Sequence, residues 1–195
     1  MTMNMRKLAQ QITLLITSSN RSMRRWLLAA LLIMAQPFTA SIAHAGETLE
    51  YQVKAAFIYN FIAFTQWPGS AEPAINLCLY GEDYFGDEID KLQNKTVGTR
   101  QIKVVRTNNI DRLQQCHAIF FSKSANNDLA NLVNSLESYP ILTLADTPNA
   151  ISRGIIINMN LVNEKIVFEI NLAAARKSGL DISSKLLQLA TKVHQ

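Results

Sequence analysis

The stretch His117-Ala-Ile-Phe-Phe-Ser122 decides the fold. Its interior is apolar without alternation, which is typical of a strand buried on both faces of a parallel sheet. The earlier stretch Ile75-Asn-Leu-Cys-Leu-Tyr80 alternates between inward and outward residues and predicts a first strand. Parallel strands need crossover connections, which are usually helices, so the fold depends on what lies between these two stretches.

Strand and helix patterns alternate through the middle of the chain. The spacing of apolar residues predicts strands at 101–106 and 140–145, one or two helical turns at 110–115, and helices at 85–93 and 126–136. Such alternation predicts a mostly parallel sheet with helices on both faces. The expected fold class is therefore α/β, as a single three-layer α/β/α domain.

The C-terminal part departs from this alternation. Residues 154–161 and 165–170 predict two antiparallel strands of a late hairpin, which we expect at an edge of the sheet. The expected helix boundaries are Asn171 as the cap of a helix at 172–177, Gly179 as its end, and Asp181 or Ser183 as the start of a last helix.

Residues 49–66 predict a helix that is apolar almost all round. Trp67-Pro68 should end it, because the residue before proline avoids the helical region. A helix of this kind is wedged between layers of a domain or pairs with a second chain. We favour the core position and keep a homodimer through this helix as a further hypothesis. Its two sides carry Val53, Phe57, Phe61 and Phe64, and Ile58, Tyr59 and Ile62.

The first 45 residues have the pattern of a secretory signal peptide. Arg21, Arg24 and Arg25 precede the apolar run 26–35, and Ala43-His44-Ala45 supplies small residues at −3 and −1 of a cleavage site. The apolar run is too short to span a bilayer. We expect cleavage after Ala45 and a soluble, exported domain at 46–195; an uncleaved anchor is the alternative, and an internal Met is a candidate start.

The overall charge of +4 invites a nucleic-acid partner, but its distribution argues against one. Five of the 19 basic residues lie in 1–45, which has no acidic residue. This leaves 14 basic against 15 acidic residues and a net charge of −1 for 46–195. The expected domain therefore lacks the excess positive charge that phosphate binding usually needs.

Cys78 and Cys116 are the only cysteines. In an oxidising compartment an even count favours a disulfide, with two separate buried thiols as the alternative. A bond would make the first and third predicted strands neighbours, as in the doubly wound order. The absence of a Cys-x-x-Cys pair in the sequence argues against redox catalysis.

The sequence offers no catalytic constellation, metal site or cofactor motif that we would assign. His117 and His194 are far apart and lack paired cysteines, so they predict no zinc site. We expect His117 to be a packed histidine. The loop Gly81–Gly86 follows a strand, where ligands of such folds bind, but its acidic residues would repel a phosphate. The acidic residues of 82–90 do not have EF-hand spacing, and a solvated face is favoured over a calcium site.

Recognition of another protein through the surface is the function class that remains. Residues 171–180 carry small side chains that allow close approach of another surface, and Glu169, Arg176 and Lys177 flank them with charge. A helix packed plainly on the sheet is an equally weighted alternative.

Several stretches together resemble the YfiR family of periplasmic regulators over nearly all of residues 46–195. Their order and spacing are more specific than any one of them. They are Tyr51-Gln-Val-Lys-Ala-Ala-Phe-Ile-Tyr-Asn-Phe-Ile-Ala-Phe-Thr-Gln-Trp-Pro68, Leu77-Cys-Leu-Tyr-Gly81, Cys116-His-Ala-Ile-Phe-Phe-Ser122, Leu142-Thr-Leu-Ala-Asp146, Phe168-Glu-Ile-Asn-Leu-Ala-Ala-Ala-Arg-Lys-Ser-Gly-Leu180 and Ser183-Ser-Lys-Leu-Leu-Gln-Leu-Ala190.

The resemblance implies an α/β fold that often dimerises, with a disulfide at the positions of Cys78 and Cys116. It also implies a non-catalytic periplasmic protein that binds the periplasmic domain of a membrane diguanylate cyclase, or a similar sensor, and represses it. For this chain we expect partner contacts at Glu169, Asn171, Arg176 and Leu180. The alternative is a small-ligand binding module that uses the crevice near Gly81 and Gly86 and feeds another sensor or a transporter.

This chain departs from the family pattern in two ways. The second cysteine pair that is common in the family is missing, and Arg153-Gly154-Ile155 stands where the family commonly has Arg-Gly-Gly. Glycine allows close backbone approach and isoleucine does not. A partner that touches this turn is therefore expected to differ.

Overall fold

A central sheet organises the computed structural model, which describes residues 42–69 and 72–195, with side chains from residue 49. Residues His44–Gln195 form one compact unit. The predicted signal peptide lies outside the described residues, except for its last four positions, and stays a prediction. In chain order the elements are α1 (Ile42–Ala63), β1 (Thr65–Gln66), β2 (Ala74–Tyr80), α2 (Asp87–Asp90), β3 (Thr96–Val97), β4 (Arg100–Thr107), a 3-10 helix (Ile110–Gln115), β5 (Ala118–Phe121), a second 3-10 helix (Lys123–Ala125), α3 (Leu129–Ser135), β6 (Leu142–Ala145), a third 3-10 helix (Ile151–Arg153), β7 (Ile157–Val162), β8 (Lys165–Asn171), α4 (Leu172–Lys177), β9 (Asp181–Ile182), α5 (Ser184–Leu189) and β10 (Lys192–His194).

Within these residues, eight strands form one sheet in the order β10-β8-β7-β6-β5-β2-β4-β3. The pairs from β4 to β7 are parallel, and the register places Leu77 opposite Ala118. The predicted adjacency of the first and third strands is confirmed. The prediction that the late hairpin forms an edge is wrong, because β10 adds to β8 in parallel and extends the sheet by one strand.

Side chains alternate across the sheet into two buried clusters. Ala118 and Phe120 of β5 point into a cluster with α1, α4 and α5, the α1 cluster. Ile119 and Phe121 point into a second cluster with α3 and the first 3-10 helix, the α3 cluster. The continuous apolar run in β5 is thus explained by burial on both faces. The three-layer α/β/α arrangement is confirmed.

Helix α1 buries residues from both of its predicted sides. Ile58, Phe61 and Ile62 are fully buried, whereas Val53, at the start of the aromatic spacing, is 38% exposed. The helix also ends earlier than predicted, at Ala63. The Thr65 hydroxyl donates to the Phe61 carbonyl at 2.7 Å, and the chain then pairs with β9 as the two-residue strand β1. Strand pairing therefore ends the helix before the proline is reached.

The Cys78–Cys116 disulfide is present, with its Cα atoms 6.0 Å apart. It joins β2 to the residue two positions before β5, and both cysteines belong to the α3 cluster. The two cysteines are 38 positions apart, and closing a loop of this size stabilises a fold by about 4 kcal/mol in the chain-entropy account. The two cysteines are therefore bonded to each other and are not two separate buried thiols, which was the alternative.

The C-terminal elements largely follow their local signals. The hairpin turn places Asn163 and Glu164 at positive φ, as a type I′ turn requires. The Asn171 side chain caps α4 by accepting from the Ala174 amide at 2.9 Å. Ser183, rather than Asp181, caps the last helix, because Asp181 lies in β9. The sequence pattern missed the short strands β1, β3, β9 and β10, and the predicted helices at 85–93 and 126–136 are longer than the observed α2 and α3.

Candidate functional site

The part of the sheet formed by β7, β8 and β10 has one covered face and one open face. Met159 and Phe168 point into the α1 cluster. Their neighbours Asn158, Asn160 and Glu169 point the other way, since side chains alternate along a strand. In the register, Asn158 lies opposite Glu169 on one side, and Lys192 lies opposite Glu169 on the other. We call this side of the three strands the open face.

The open face forms a groove of about 910 Å³. One wall is the loop Pro148–Ser152 and the other includes His194 of β10. The rim is apolar, because Leu161 is 53% exposed and Val162 is 48% exposed. An exposed apolar rim next to a concave polar surface is a pattern found at recognition sites.

Glu169 and His194 lie in contact in this groove. The Glu169 Oε2 and His194 Nε2 atoms are 2.6 Å apart, and both side chains are about 30% exposed. Lys192 lies opposite Glu169 in the register, on β10. The pair places a carboxylate and an imidazole where an occupant of the groove would meet both.

Asn158 supplies a buried polar group to the floor of the groove. It is 3% exposed, and its Nδ2 donates to the Thr147 carbonyl at 3.0 Å and to Asn160 Oδ1 at 3.2 Å. Its Oδ1 accepts no hydrogen bond from the described residues. The sequence analysis did not select Asn158, although the alternation Ile157-Asn-Met-Asn160 signals a strand with one polar face.

The four residues expected to contact a partner lie in different surroundings. Glu169 lines the groove, whereas Asn171, also on β8, caps α4 and donates to the Ile151 carbonyl at 3.4 Å. Arg176 is exposed on α4 and is not a groove residue, and Leu180 is 3% exposed within the α1 cluster. The structure therefore does not bring the four together on one surface. Their partner-binding role stays a prediction.

A buried ion cluster lies where α1 crosses the carboxyl end of β6. Lys54 is 2% exposed and bonds to both Glu50 and Asp146. The Tyr51 hydroxyl donates to the same Asp146 oxygen at 2.9 Å, and the Lys54 ammonium lies 4.3 Å from the Tyr51 ring centre. This cluster is not apparent in the sequence, because a lysine within an apolar helix is normally exposed. Its evident task is to fix α1 on the sheet.

The crevice near Gly81 and Gly86, expected as a ligand site in the alternative hypothesis, is packed at its Gly81 end and open at Gly86, where a Cβ would meet nothing within 4 Å. Its role in ligand binding stays a prediction. A Cβ at Gly81 would lie 2.3 Å from Ser122 Oγ and 2.6 Å from Ser124 Oγ, so only glycine fits there. Two of the nearby acidic residues are paired with Arg106, which bonds to Asp83 and Asp90 at 2.7 Å each. The hydrogen bond from Arg106 lowers the pKa of Asp90.

His117 is a packed histidine at the amino edge of the sheet. Its Nδ1 accepts from the Asn76 amide at 3.1 Å, and its Nε2 lies 3.2 Å from Glu72 Oε2. Burial, aided by the charge of Arg100, lowers the pKa of His117 below its ordinary value. Within residues 42–69 and 72–195, His, Cys, Asp and Glu side chains form no group of three or more that could hold a metal ion.

Ile155, which departs from the glycine common in the resembling family, is fully buried in the α3 cluster. Gly154 before it has φ 91°, and a Cβ there would lie 3.0 Å from Val133 Cγ1. The departure therefore alters the packing of the core, and its side chain is out of reach of a partner.

These features define a doubly wound α/β domain with a disulfide and an open face on β7, β8 and β10. The chain belongs to the YfiR/HmsC-like family, whose model matches residues 51–191. The family is a regulatory, periplasmic one. None of the helices in the described part of the chain combines the length and apolar character that crossing a bilayer requires.

Two solved structures are similar to part of the fold. One is a conserved domain protein from Vibrio cholerae O1 biovar El Tor, with a TM-score of 0.47. The other is an ABC domain from Streptococcus pneumoniae in complex with L-Trp, with a TM-score of 0.48. Each is 10% identical to this chain and covers 73% of it, and the chain spans 60% of the length of each.

Proposed function

We propose that residues 46–195 act in the periplasm as a non-catalytic regulator that binds the periplasmic domain of an inner-membrane diguanylate cyclase and represses the enzyme. The observation that carries this proposal is the open face of β7, β8 and β10. In a family of regulators, this uncovered groove with an exposed apolar rim is the feature best suited to hold another protein.

Repression requires that the regulator bind one conformation of the sensor more tightly than the other. Holding a two-state sensor at 99:1 against an opposite preference of 1:99 takes about 5.5 kcal/mol of differential affinity. A well-packed apolar contact at Leu161 and Val162 with a few desolvated polar bonds in the groove is an arrangement that supplies energies of this order.

The residues expected at the interface take different roles in this proposal. Glu169 contacts the partner directly from within the groove. Asn171 acts by fixing the start of α4, and Leu180 acts through the core. Arg176, which is exposed away from the groove, contacts the partner only if the interface extends onto α4.

The test compares two charge reversals in living cells. Deleting the gene is expected to raise cyclic di-GMP, and supplying the wild-type chain in trans is expected to restore the low level. Glu169→Arg should fail to restore it although the variant accumulates in the periplasm, because it places a cation in the groove. Arg176→Glu is the matched charge reversal on α4.

Restoration by both variants would remove the groove and α4 as binding surfaces. Failure of Arg176→Glu alone would move the interface to α4. An unchanged cyclic di-GMP level on deletion, with the chain present in the wild-type periplasm, would overturn the proposed function itself.

A homodimer through α1 remains a separate prediction. The exposed strip of this helix carries polar and small residues, which would allow close approach of a second helix; they are Gln52, Ala56, Asn60 and Ala63. Light scattering at micromolar concentration measures the mass directly. A monomeric mass there would contradict the dimer.

A further inference from the structure

Three neighbouring side chains, Asn158, Asn160 and Glu169, bring hydrogen-bond acceptors to the groove. We infer that the groove receives a guanidinium group, the side chain of an arginine on the partner protein, which donates to Asn158, Asn160 and Glu169. This inference rests on the proposed function and names the chemistry of the partner at the same site.

The first argument is the buried amide oxygen of Asn158. Its Oδ1 accepts no hydrogen bond from the described residues, although the side chain is 3% exposed. Leaving a buried acceptor unpaired costs about 1–3 kcal/mol, so a donor from an occupant would recover that energy. The Asn158 amide nitrogen is already committed to two acceptors, which fixes the oxygen as the free end.

Two further acceptor side chains, Asn160 and Glu169, lie next to Asn158. Asn160 Oδ1 accepts one hydrogen bond, from Asn158, and an amide oxygen has a second lone pair. Glu169 contributes a carboxylate that uses Oε2 for His194. In the register Asn158 lies directly opposite Glu169. The floor therefore presents two amide oxygens and a carboxylate on neighbouring strands.

A guanidinium matches this set better than an ammonium does. It is planar and carries five N–H donors in a fixed fork, whereas the lysine ammonium is a compact, strongly hydrated point charge. Its methylene stem would lie along the apolar lining of Leu161 and Val167. Two side chains of the groove, Lys192 and His194, lie beside the same carboxylate and compete with the arginine for it.

The experiment titrates the mature chain, purified from the periplasm and labelled with ¹⁵N, with two blocked tripeptides, acetyl-Gly-Arg-Gly-amide and acetyl-Gly-Lys-Gly-amide. The side-chain amide resonances of Asn158 and Asn160 are the readout. We expect the arginine peptide to shift both resonances and to bind about tenfold more tightly than the lysine peptide, since the fork makes paired charge-assisted bonds. Free L-arginine should bind more weakly than the peptide.

Two variants and a control sharpen the result. Asn160→Leu, at a half-buried site, should weaken binding of the arginine peptide about fivefold by removing one acceptor. His194→Ala should strengthen it, because Glu169 is then released from its side-chain partner. Lys185→Glu, exposed on α5 and outside the groove, should leave it unchanged. Equal affinity for the two peptides, or no shift of either resonance at saturation, would overturn the inference.

The outcome is separable from that of the proposed function. If the arginine peptide binds as expected but Glu169→Arg still restores low cyclic di-GMP, the guanidinium site stands and sensor capture through the groove fails. If Glu169→Arg abolishes repression and the two peptides bind equally, the proposed function stands, and the inference that the groove binds an arginine of the partner fails.

Discussion

The two faces of the hairpin β7–β8 differ although they are built from the same residues in alternation. On one face Met159 and Phe168 are buried under α1; on the other Asn158 and Glu169 border an open groove. In β5, by contrast, both faces are covered and all four residues are apolar and buried. In these two places the sequence reflects the covering layers: the continuous apolar run of β5 lies between two layers, and the polar alternation of β7 and β8 accompanies one covered and one open face.

The largest expected effect tests the covered face against the open one. Phe168→Ala removes a ring that lies 4.9 Å from the Phe61 ring, and it should lower the free energy of unfolding by about 3–5 kcal/mol. Its neighbour Val167 lies on the open face, and Val167→Ala should cost less than about 1 kcal/mol. Urea denaturation of both variants checks the contrast; equal losses would mean that the open face is covered in solution.

The next effect concerns the Cys78–Cys116 disulfide, which links β2 to the residues before β5. Cys78→Ser should lower the free energy of unfolding by about 2–4 kcal/mol in oxidising buffer. Thermal unfolding with and without reductant is the measurement. The wild type should lose stability on reduction and the variant should not; equal stability of the two oxidised proteins would make the bond energetically idle.

A smaller effect depends on pH and lies at the amino edge of the sheet. The pKa of His117 is lowered in the folded state by burial, so the folded protein binds a proton there less readily than the unfolded chain. Its contribution to stability is therefore present above the unfolded pKa of about 6.5 and is lost as the pH falls.

His117→Asn keeps an acceptor for the Asn76 amide and removes the titration. The variant should lose less stability than the wild type between pH 7 and pH 5, as measured by urea denaturation across that range. Parallel losses would exclude His117 as a source of the pH dependence. The comparison variant is His194→Asn, which removes a histidine in the groove; its loss of stability between pH 7 and pH 5 is measured in the same way.

The smallest effect is expected at the tip of the hairpin, where β7 and β8 turn. Glu164 has φ 61°, a left-handed conformation that costs a residue with a side chain roughly 1–2 kcal/mol. Glu164→Gly should raise the free energy of unfolding by about 0.5–1 kcal/mol after the extra chain entropy of glycine is subtracted. Asn163→Gly should gain less, because asparagine tolerates this conformation; a larger gain at Asn163 would contradict the account.

The sequence was sufficient for the doubly wound order, because strands buried on both faces and the two cysteines each carry a strong local signal. It was insufficient for β1, β9 and β10, since strands of two or three residues have too few positions for a period to show. It also missed Lys54, whose burial depends on Asp146, 92 positions away. Glu169 was selected for its charge, whereas Asn158 was missed because its importance arises only from the register with β8.

The late position of β10 has a consequence for biogenesis. One wall of the groove comes from Thr191–His194, the last strand in the chain, while the opposite wall comes from Pro148–Ser152. In a chain exported as its signal-peptide pattern predicts, β10 crosses the membrane after the elements that build the α1 and α3 layers. The core can then fold before this wall of the groove is in place, and sensor capture through the groove would wait until residues 192–194 have reached the periplasm.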